Sequence, residues 1–97
     1  MPAITRLGDV STGHSSFPPT ATTSASGDVF VNGQGVVRVG DSYAPHGSPT
    51  PSPPHGRAAS SGSGAVYVNG QPVHRIGDAI SCGGASAQGS SDVFAGG

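Results

Sequence analysis

Residues 26–41 read SGDVFVNGQGVVRVGD, and residues 63–78 read SGAVYVNGQPVHRIGD. The two stretches align without a gap: each has a Val-rich run, then Asn-Gly, then a second apolar run that ends in Arg-x-Gly-Asp. Asn-Gly between two such runs is the strongest short-range signal for a two-residue β-hairpin, because a type I′ turn needs positive φ at both central residues. The sequence therefore predicts two copies of one hairpin, with turns at Asn32-Gly33 and Asn69-Gly70.

A third copy of this unit is divided between the two ends of the chain. Residues 4–9, ITRLGD, match the second strand of the hairpin, and residues 92–97, DVFAGG, match its first strand and turn. These halves can pair only if the chain ends meet, which predicts a closed ring of three units without an exposed sheet edge. Such pseudo-threefold character suits a protein that sits on the end of a threefold partner.

The composition predicts an all-β protein with a thin core. The 97 residues, enough for a single domain over residues 1–97, include 17 Gly and 9 Pro, and only 33% are hydrophobic. Leu7 is the one leucine, and Lys, Glu and Trp are absent, so good helix formers are scarce. A core this small needs a staple, and the single cysteine excludes an internal disulfide, which leaves a metal or association with a partner.

Charge and hydropathy narrow the classes of partner and compartment. A net charge of −1 with four Arg and no Lys gives no electrostatic footprint for nucleic acid. No segment approaches the roughly 20 apolar residues of a membrane span, and the N-terminus lacks the apolar centre of a signal peptide. We therefore expect a soluble protein made in the cytoplasm that, if it leaves, uses a route without a cleavable signal.

The linkers between hairpins hold most of the residues that could bind a metal. His14, His46 and Cys82 follow the three Arg-x-Gly-Asp endings at similar distances, and a ring would bring such equivalent positions to one end of its axis. His55, in Ser-Pro-Pro-His-Gly, could supply a fourth ligand. Three imidazoles and a thiolate suit tetrahedral Zn²⁺, and a site filled by four protein ligands is structural rather than catalytic. The alternative is that these side chains are scattered and solvated.

Other polar residues are expected to be structural. His74 corresponds to Val37 in a strand, so we expect it to pack or face solvent rather than bind metal. Each Arg-x-Gly-Asp ending is expected to form a turn in which the Arg is solvated or paired with a nearby Asp, although these charges could instead face a partner. Ser, His and Asp are all present, but no nucleophile elbow or phosphate loop accompanies them, so an enzyme is not expected.

The sequence resembles the PAAR-repeat family, named for proline-alanine-alanine-arginine. The resemblance covers nearly the whole chain and rests on MPAITRLGD, the two hairpins from VFVNG or VYVNG to RVGD or RIGD, SPPHG, SCGG and the final DVFAGG. The name-giving tetrapeptide is altered, since residues 35–38 read Gly-Val-Val-Arg and residues 72–75 read Pro-Val-His-Arg. The departure weakens a motif match more than it weakens the structural inference.

The resemblance implies a short, zinc-stapled cone that caps the trimeric, VgrG-like β-helical spike of a type VI secretion system or a contractile phage tail. The broad face would dock on the trimer and the apex would pierce a target membrane. The protein would thus be cytoplasmic before firing and then be delivered with the spike or form part of a virion tail tip. Relatives carry fused toxin domains, for which this chain has no room, so it looks like a bare tip.

Two other functions stay open: an adaptor whose Ser/Pro-rich linkers carry effector proteins, and a metal-dependent hydrolase, which would need an open zinc position.

Overall fold

The structure, a computed structural model, describes residues 1–12, 19–46, 55–81 and 83–97. No residue in these ranges is helical, which confirms the all-β prediction, and consequently no described helix could span a membrane. The regular elements of these ranges are short strands paired into antiparallel two-stranded sheets. They are β1 Phe30–Val31, β2 Gln34–Gly35, β3 Ser42–His46, β4 His55–Ala58, β5 Tyr67–Val68 and β6 Gln71–Pro72.

The predicted Asn-Gly turns join β1 to β2 and β5 to β6. Asn32 and Asn69 have φ values of 56° and 53°, and the glycines that follow them have 77° and 79°. Positive φ at both central residues is the signature of the type I′ turn. Each hairpin has only two residues per strand, and isolated hairpins of this size are not stable in water. The hairpins must therefore be stabilised by one another.

The divided third hairpin is present, because the two chain ends pair. Ala3 and Phe94 form an antiparallel bridge, equivalent in the repeat to the pairing of Gly35 with Phe30. The amide of Ile4 donates to the carbonyl of Val93 at 3.1 Å, beside this bridge. The prediction that the ends meet is confirmed.

A triangle of backbone hydrogen bonds joins the three repeats at their centre. Thr5 N–H donates to the His74 carbonyl at 3.0 Å, His74 N–H to the Val37 carbonyl at 2.9 Å, and Val37 N–H to the Thr5 carbonyl at 3.0 Å. All three residues are fully buried. The same cyclic order recurs in three equivalent bridges, which are Arg6 to Val36, Arg38 to Val73 and Arg75 to Ile4. The repeats therefore form a closed ring, and we call the triangle the axis layer.

Two small apolar clusters lie on either side of this layer. The first takes its residues from all three repeats, and the second combines Val37 with residues that follow the hairpins. Since both clusters depend on the closed ring, no repeat has a core of its own. The first consists of Ile4, Val31, Val36, Val73 and Ala95, and the second of Val37, Tyr43, Ala59 and Ile80.

The linker after the first hairpin contains an element that the sequence did not predict. Residues 42–62 were expected to be loop, but β3 and β4 pair there, with Ser42 opposite Ala58 and Tyr43 opposite Arg57. The register shifts between Tyr43 and His46, around Pro45. Because the strands lack apolar alternation and contain a proline, no strand pattern is visible in the sequence. This hairpin is the longest regular element in the described part of the chain.

Candidate functional site

The segment from Ala3 to Thr12 shows how the repeats are layered along the axis. Its first residue pairs with Phe94, and Thr5 lies in the axis layer. Further along, the Asp9 carbonyl accepts the amide of Thr22 at 3.0 Å, and at the far end Thr12 N–H donates to the carbonyl of Ala85 at 2.8 Å. One end of the ring is thus formed by the hairpins, and the other by the chain around Thr12 and Ala85.

Three exposed aromatic side chains lie at the hairpin end of the ring. Phe30, Tyr67 and Phe94 occupy equivalent positions in the three repeats and are 58%, 57% and 47% exposed. Each lies opposite the same position of its hairpin partner strand, as the pairings with Gly35, Pro72 and Ala3 show. Because the three aromatics occupy equivalent positions in the repeats of a closed ring, they form a matched set, which we call the aromatic triad.

The Arg-x-Gly-Asp endings are turns closed by ion pairs, as predicted. Arg6 Nε lies 2.9 Å from Asp9 Oδ2, and Arg38 Nε lies 2.8 Å from Asp41 Oδ2. Each arginine also donates a second guanidinium hydrogen bond to the other carboxylate oxygen of its partner. Burial raises the pKa of Asp41, but the hydrogen bonds from Arg38 outweigh it and lower that pKa overall. These arginines are engaged within the ring itself.

Two junctions between repeats share a polar side-chain bridge. Asn32 Nδ2 donates to Asp92 Oδ1 at 2.9 Å, and Asn69 Nδ2 donates to Asp28 Oδ2 at 3.1 Å. Serine hydroxyls add to both bridges, since Ser90 Oγ donates to Asn32 Oδ1 at 2.6 Å and Ser26 Oγ donates to Asn69 Oδ1 at 2.7 Å. The bridges stand beside the aromatic triad and connect neighbouring hairpins.

The third junction has a different chemistry. Gly96 and Ala65 occupy the positions of the bridging Asn and Asp, so no side-chain bridge can form. Instead, Arg75 Nη1 donates to the carbonyls of Ala95 and Gly96, at 3.3 and 3.1 Å. The Ser63 hydroxyl also donates to the Gly96 carbonyl. Backbone carbonyls here take the role that side-chain amides have at the other two junctions.

Two of the predicted metal ligands, His14 and Cys82, lie outside the described residues. The backbone of His46 and His55 is described, and their Cα positions are directly opposite one another in the β3–β4 hairpin. Opposite residues of antiparallel strands have Cα atoms about 4.5–5.5 Å apart. Two of the four predicted positions are therefore neighbours in the fold, although they are nine residues apart in sequence.

The chain on either side of the other two predicted ligands also comes together. Thr12, two residues before His14, accepts a hydrogen bond on Oγ1 from the amide of Ala85 at 3.0 Å. Gly84, two residues after Cys82, has a φ of +82°, and a side chain there would lie 3.0 Å from Thr12 Oγ1. The Gly-Gly pair after Cys82 thus permits a positive φ and a close approach between these two segments.

His74 is fully buried, which agrees with the packing role expected for it. Its Nδ1 is 2.8 Å from the Ser61 carbonyl and must donate to it, so in the neutral ring Nε2 accepts from the Tyr43 hydroxyl at 2.9 Å. Burial lowers the pKa of His74, and the hydrogen bond to Ser61 opposes this effect only in part. The equivalent Val37 is buried too, but its apolar side chain gives no sign of the partners that His74 finds in Tyr43 and Ser61.

Arg57 is the functional candidate that sequence reasoning did not identify. It lies in β4, is 3% exposed, and its Nη1 donates to Ser11 Oγ at 3.0 Å and to Thr20 Oγ1 at 2.7 Å. No repeat pattern surrounds it, so the sequence offered no signal for its position.

Among the described residues no group of three or more His, Cys, Asp or Glu side chains could hold a metal. The Ser/Pro-rich linkers of the adaptor hypothesis lie partly outside the described ranges, and no contact of their described residues favours it.

Comparison with known proteins assigns the chain to a family. No curated protein matches the chain. The family model described as the PAAR motif matches residues 12–88, which span most of the chain and include both complete hairpins and the four predicted ligands. The chain therefore belongs to the PAAR-motif family, a structural family associated with the spikes of type VI secretion systems and phages.

Proposed function

We propose that this protein is a spike tip that caps a trimeric, VgrG-like β-helix by docking its aromatic triad on the end of the trimer. The observation that carries the proposal is the exposure of Phe30, Tyr67 and Phe94, one from each repeat of a closed ring. A threefold surface matches a threefold partner because each repeat can make the same contact with one subunit. Half-exposed aromatics are typical of the anchors of protein interfaces.

The opposite end of the ring would form the piercing apex, stapled by Zn²⁺ bound to His14, His46, His55 and Cys82. The pairing of His46 with His55 and the hydrogen bonds between Thr12 and Ala85 support this set, because they bring together the chain that carries it. The donor set also fits, since imidazoles and a thiolate are the ligands zinc prefers. When bound, zinc would crosslink the segments and contribute folding free energy directly. The protein would act from the cytoplasm and be delivered with the spike.

Docking is tested by co-purification with the trimeric β-helical fragment of a spike encoded in the same genome. We expect the wild-type chain to bind as one copy per trimer. The variant Phe30→Ser/Tyr67→Ser/Phe94→Ser should lose binding while keeping its far-UV circular dichroism spectrum. Val10→Ser is the matched control, because Val10 is also exposed (38%) but lies beyond the Arg-x-Gly-Asp turn, toward the other end. Equal binding by the triple variant and the control would refute docking through this face.

The metal is tested by elemental analysis of purified protein. We expect about one zinc per chain and loss of zinc in Cys82→Ala, with a large fall in thermal stability. Removal of zinc by a chelator should lower Tm in the wild type and leave Tm of the variant unchanged. Protein without zinc, or with full stability after Cys82→Ala, would contradict the metal centre but leave docking open.

A further inference from the structure

One buried side chain contacts all of the segments that lead to the proposed metal ligands. Arg57 Nη1 donates to Ser11 and Thr20, which lie on either side of His14 in sequence, at 3.0 and 2.7 Å. Its Nη2 lies 3.5 Å from the carbonyl oxygen of Gly83, the residue that follows Cys82. Arg57 itself comes two residues after His55. A single guanidinium therefore connects three separate stretches of chain.

The same guanidinium is anchored to the rigid centre of the ring. Its central carbon lies 5.5 Å from the centroid of the Tyr43 ring, a cation–π geometry, and Tyr43 is the residue paired with Arg57 across the β3–β4 hairpin. The Tyr43 hydroxyl is in turn hydrogen-bonded to His74 in the axis layer at 2.9 Å. The ring thus fixes the position of the guanidinium, and the guanidinium fixes the chain around it.

We propose that Arg57 is a positioning residue for the metal centre: it holds the chain on each side of the ligands at a fixed spacing before the metal binds. The inference rests on the proposed zinc site, and it assigns no contact between Arg57 and the metal. Without this connection, metal binding would have to offset the entropy of ordering the segments that carry the ligands. Arginine suits the role because its planar, rigid fork can donate to several acceptors at once.

The test compares zinc affinity, measured by competition with a chromophoric chelator, in the full chain and its variants. Arg57→Met keeps the aliphatic stem but removes all donors, and we expect its Kd for zinc to rise about 10–100-fold, as for other residues that orient metal ligands. Arg57→Lys keeps the charge without the fork and should give an intermediate Kd. If the methionine variant does not fold, the lysine variant carries the test.

Ser26→Ala is the control for a purely structural effect. Ser26 Oγ accepts hydrogen bonds from the amides of Asp28 and Val29, at 3.1 and 3.0 Å, near the aromatic triad. This variant should therefore lose thermal stability with an unchanged Kd for zinc. A Kd for both Arg57 variants within twofold of the wild-type value, whatever their Tm, would overturn the positioning role and leave the metal site standing. A wild-type chain that binds no zinc would overturn both.

Discussion

In the axis layer, the three repeats make the same backbone hydrogen bonds although their side chains differ. At the junctions between repeats, two have the same side-chain bridge and the third has none. On the axis, Thr5 Oγ1 is hydrogen-bonded to Ser86 Oγ at 2.6 Å, His74 to Tyr43 at 2.9 Å, and Val37 packs in the second apolar cluster. Each polar side chain has found its own partner outside the triangle. The layer therefore accepts sequence differences because the backbone alone defines it.

The junctions behave differently because they are made by side chains. Where Asn and Asp are replaced by Gly96 and Ala65, Arg75 has to bind the backbone of the C-terminal strand instead. Across the described residues, no buried side-chain nitrogen or oxygen lacks a hydrogen-bond partner. In both the axis layer and the junctions, the three repeats share satisfied hydrogen bonds rather than identical residues. Substitutions can test this.

The largest effect is expected from Arg75→Met, because Arg75 holds the third junction and also pairs with Asp78 at 2.8 Å. Leaving a partly buried carboxylate and several carbonyls unpaired should lower the free energy of unfolding by about 3–4 kcal/mol. Arg38→Met, at a junction that keeps its Asn–Asp bridge, should lose only about 2 kcal/mol. Urea unfolding at equal zinc content measures both. Equal losses would show that the third junction does not depend more strongly on its arginine.

The next effect is expected from His74→Val, which installs the residue found at the equivalent Val37. The backbone triangle should survive, but the Tyr43 hydroxyl and the Ser61 carbonyl would each lose a buried partner, at a loss of about 2 kcal/mol. Adding Tyr43→Phe should recover part of this loss, because it removes the buried hydroxyl that has lost His74 as its acceptor. If the double variant is no more stable than the single one, partner satisfaction is not what the axis requires.

Acidification should destabilise the axis layer less than removal of the His74 imidazole does. Because burial lowers the pKa of folded His74 below its ordinary value near 6.5, the unfolded chain takes up a proton first. The contribution of His74 to stability is therefore complete above pH 6.5 and declines as the pH falls from there toward the folded pKa. Thermal melts of zinc-free protein should show this decline, and the difference between wild type and His74→Val/Tyr43→Phe isolates it. A difference independent of pH would contradict the assignment.

The smallest effect is expected from restoring the missing junction bridge with Ala65→Asp and Gly96→Asn. A side chain at residue 96 would first meet the side chain of Met1, which is 86% exposed and can move aside. Each single change should be nearly neutral, while the pair should show a favourable coupling of about 0.5–1 kcal/mol in a double-mutant cycle. Zero coupling would mean that the bonds of Arg75 already satisfy this junction in full.

Much of the ring could be predicted from the sequence because its determinants are local and repeated. The Asn-Gly turns require φ values that few other residues accept, and the matching halves at residues 4–9 and 92–97 specify their own pairing. The Arg–Asp pairs three residues apart likewise follow from a short turn. In each case short sequence patterns contain the chemistry that the structure uses.

The apex side could not be predicted in the same way, since its contacts join segments with no common pattern. The β3–β4 hairpin contains Pro45 and pairs without apolar alternation. Arg57 reaches partners 37 and 46 residues away in sequence, which no local pattern encodes. His74 is buried at the axis position that Thr5 and Val37 also occupy, but its hydrogen-bond partner Tyr43 comes from the linker and is not encoded in the repeat. Here the structure arises from side chains that meet only after the ring has closed.

The pairing of Ala3 with Phe94 also determines when this protein can fold. The strand at Ala3 pairs with one synthesised much later, so the ring cannot close on the ribosome until Phe94 has emerged. Contacts of such high sequence separation must overcome a large loop-closure entropy in the transition state, which slows folding. Until then the first two hairpins expose strands without neighbours, and this intermediate is the point at which aggregation would compete with folding.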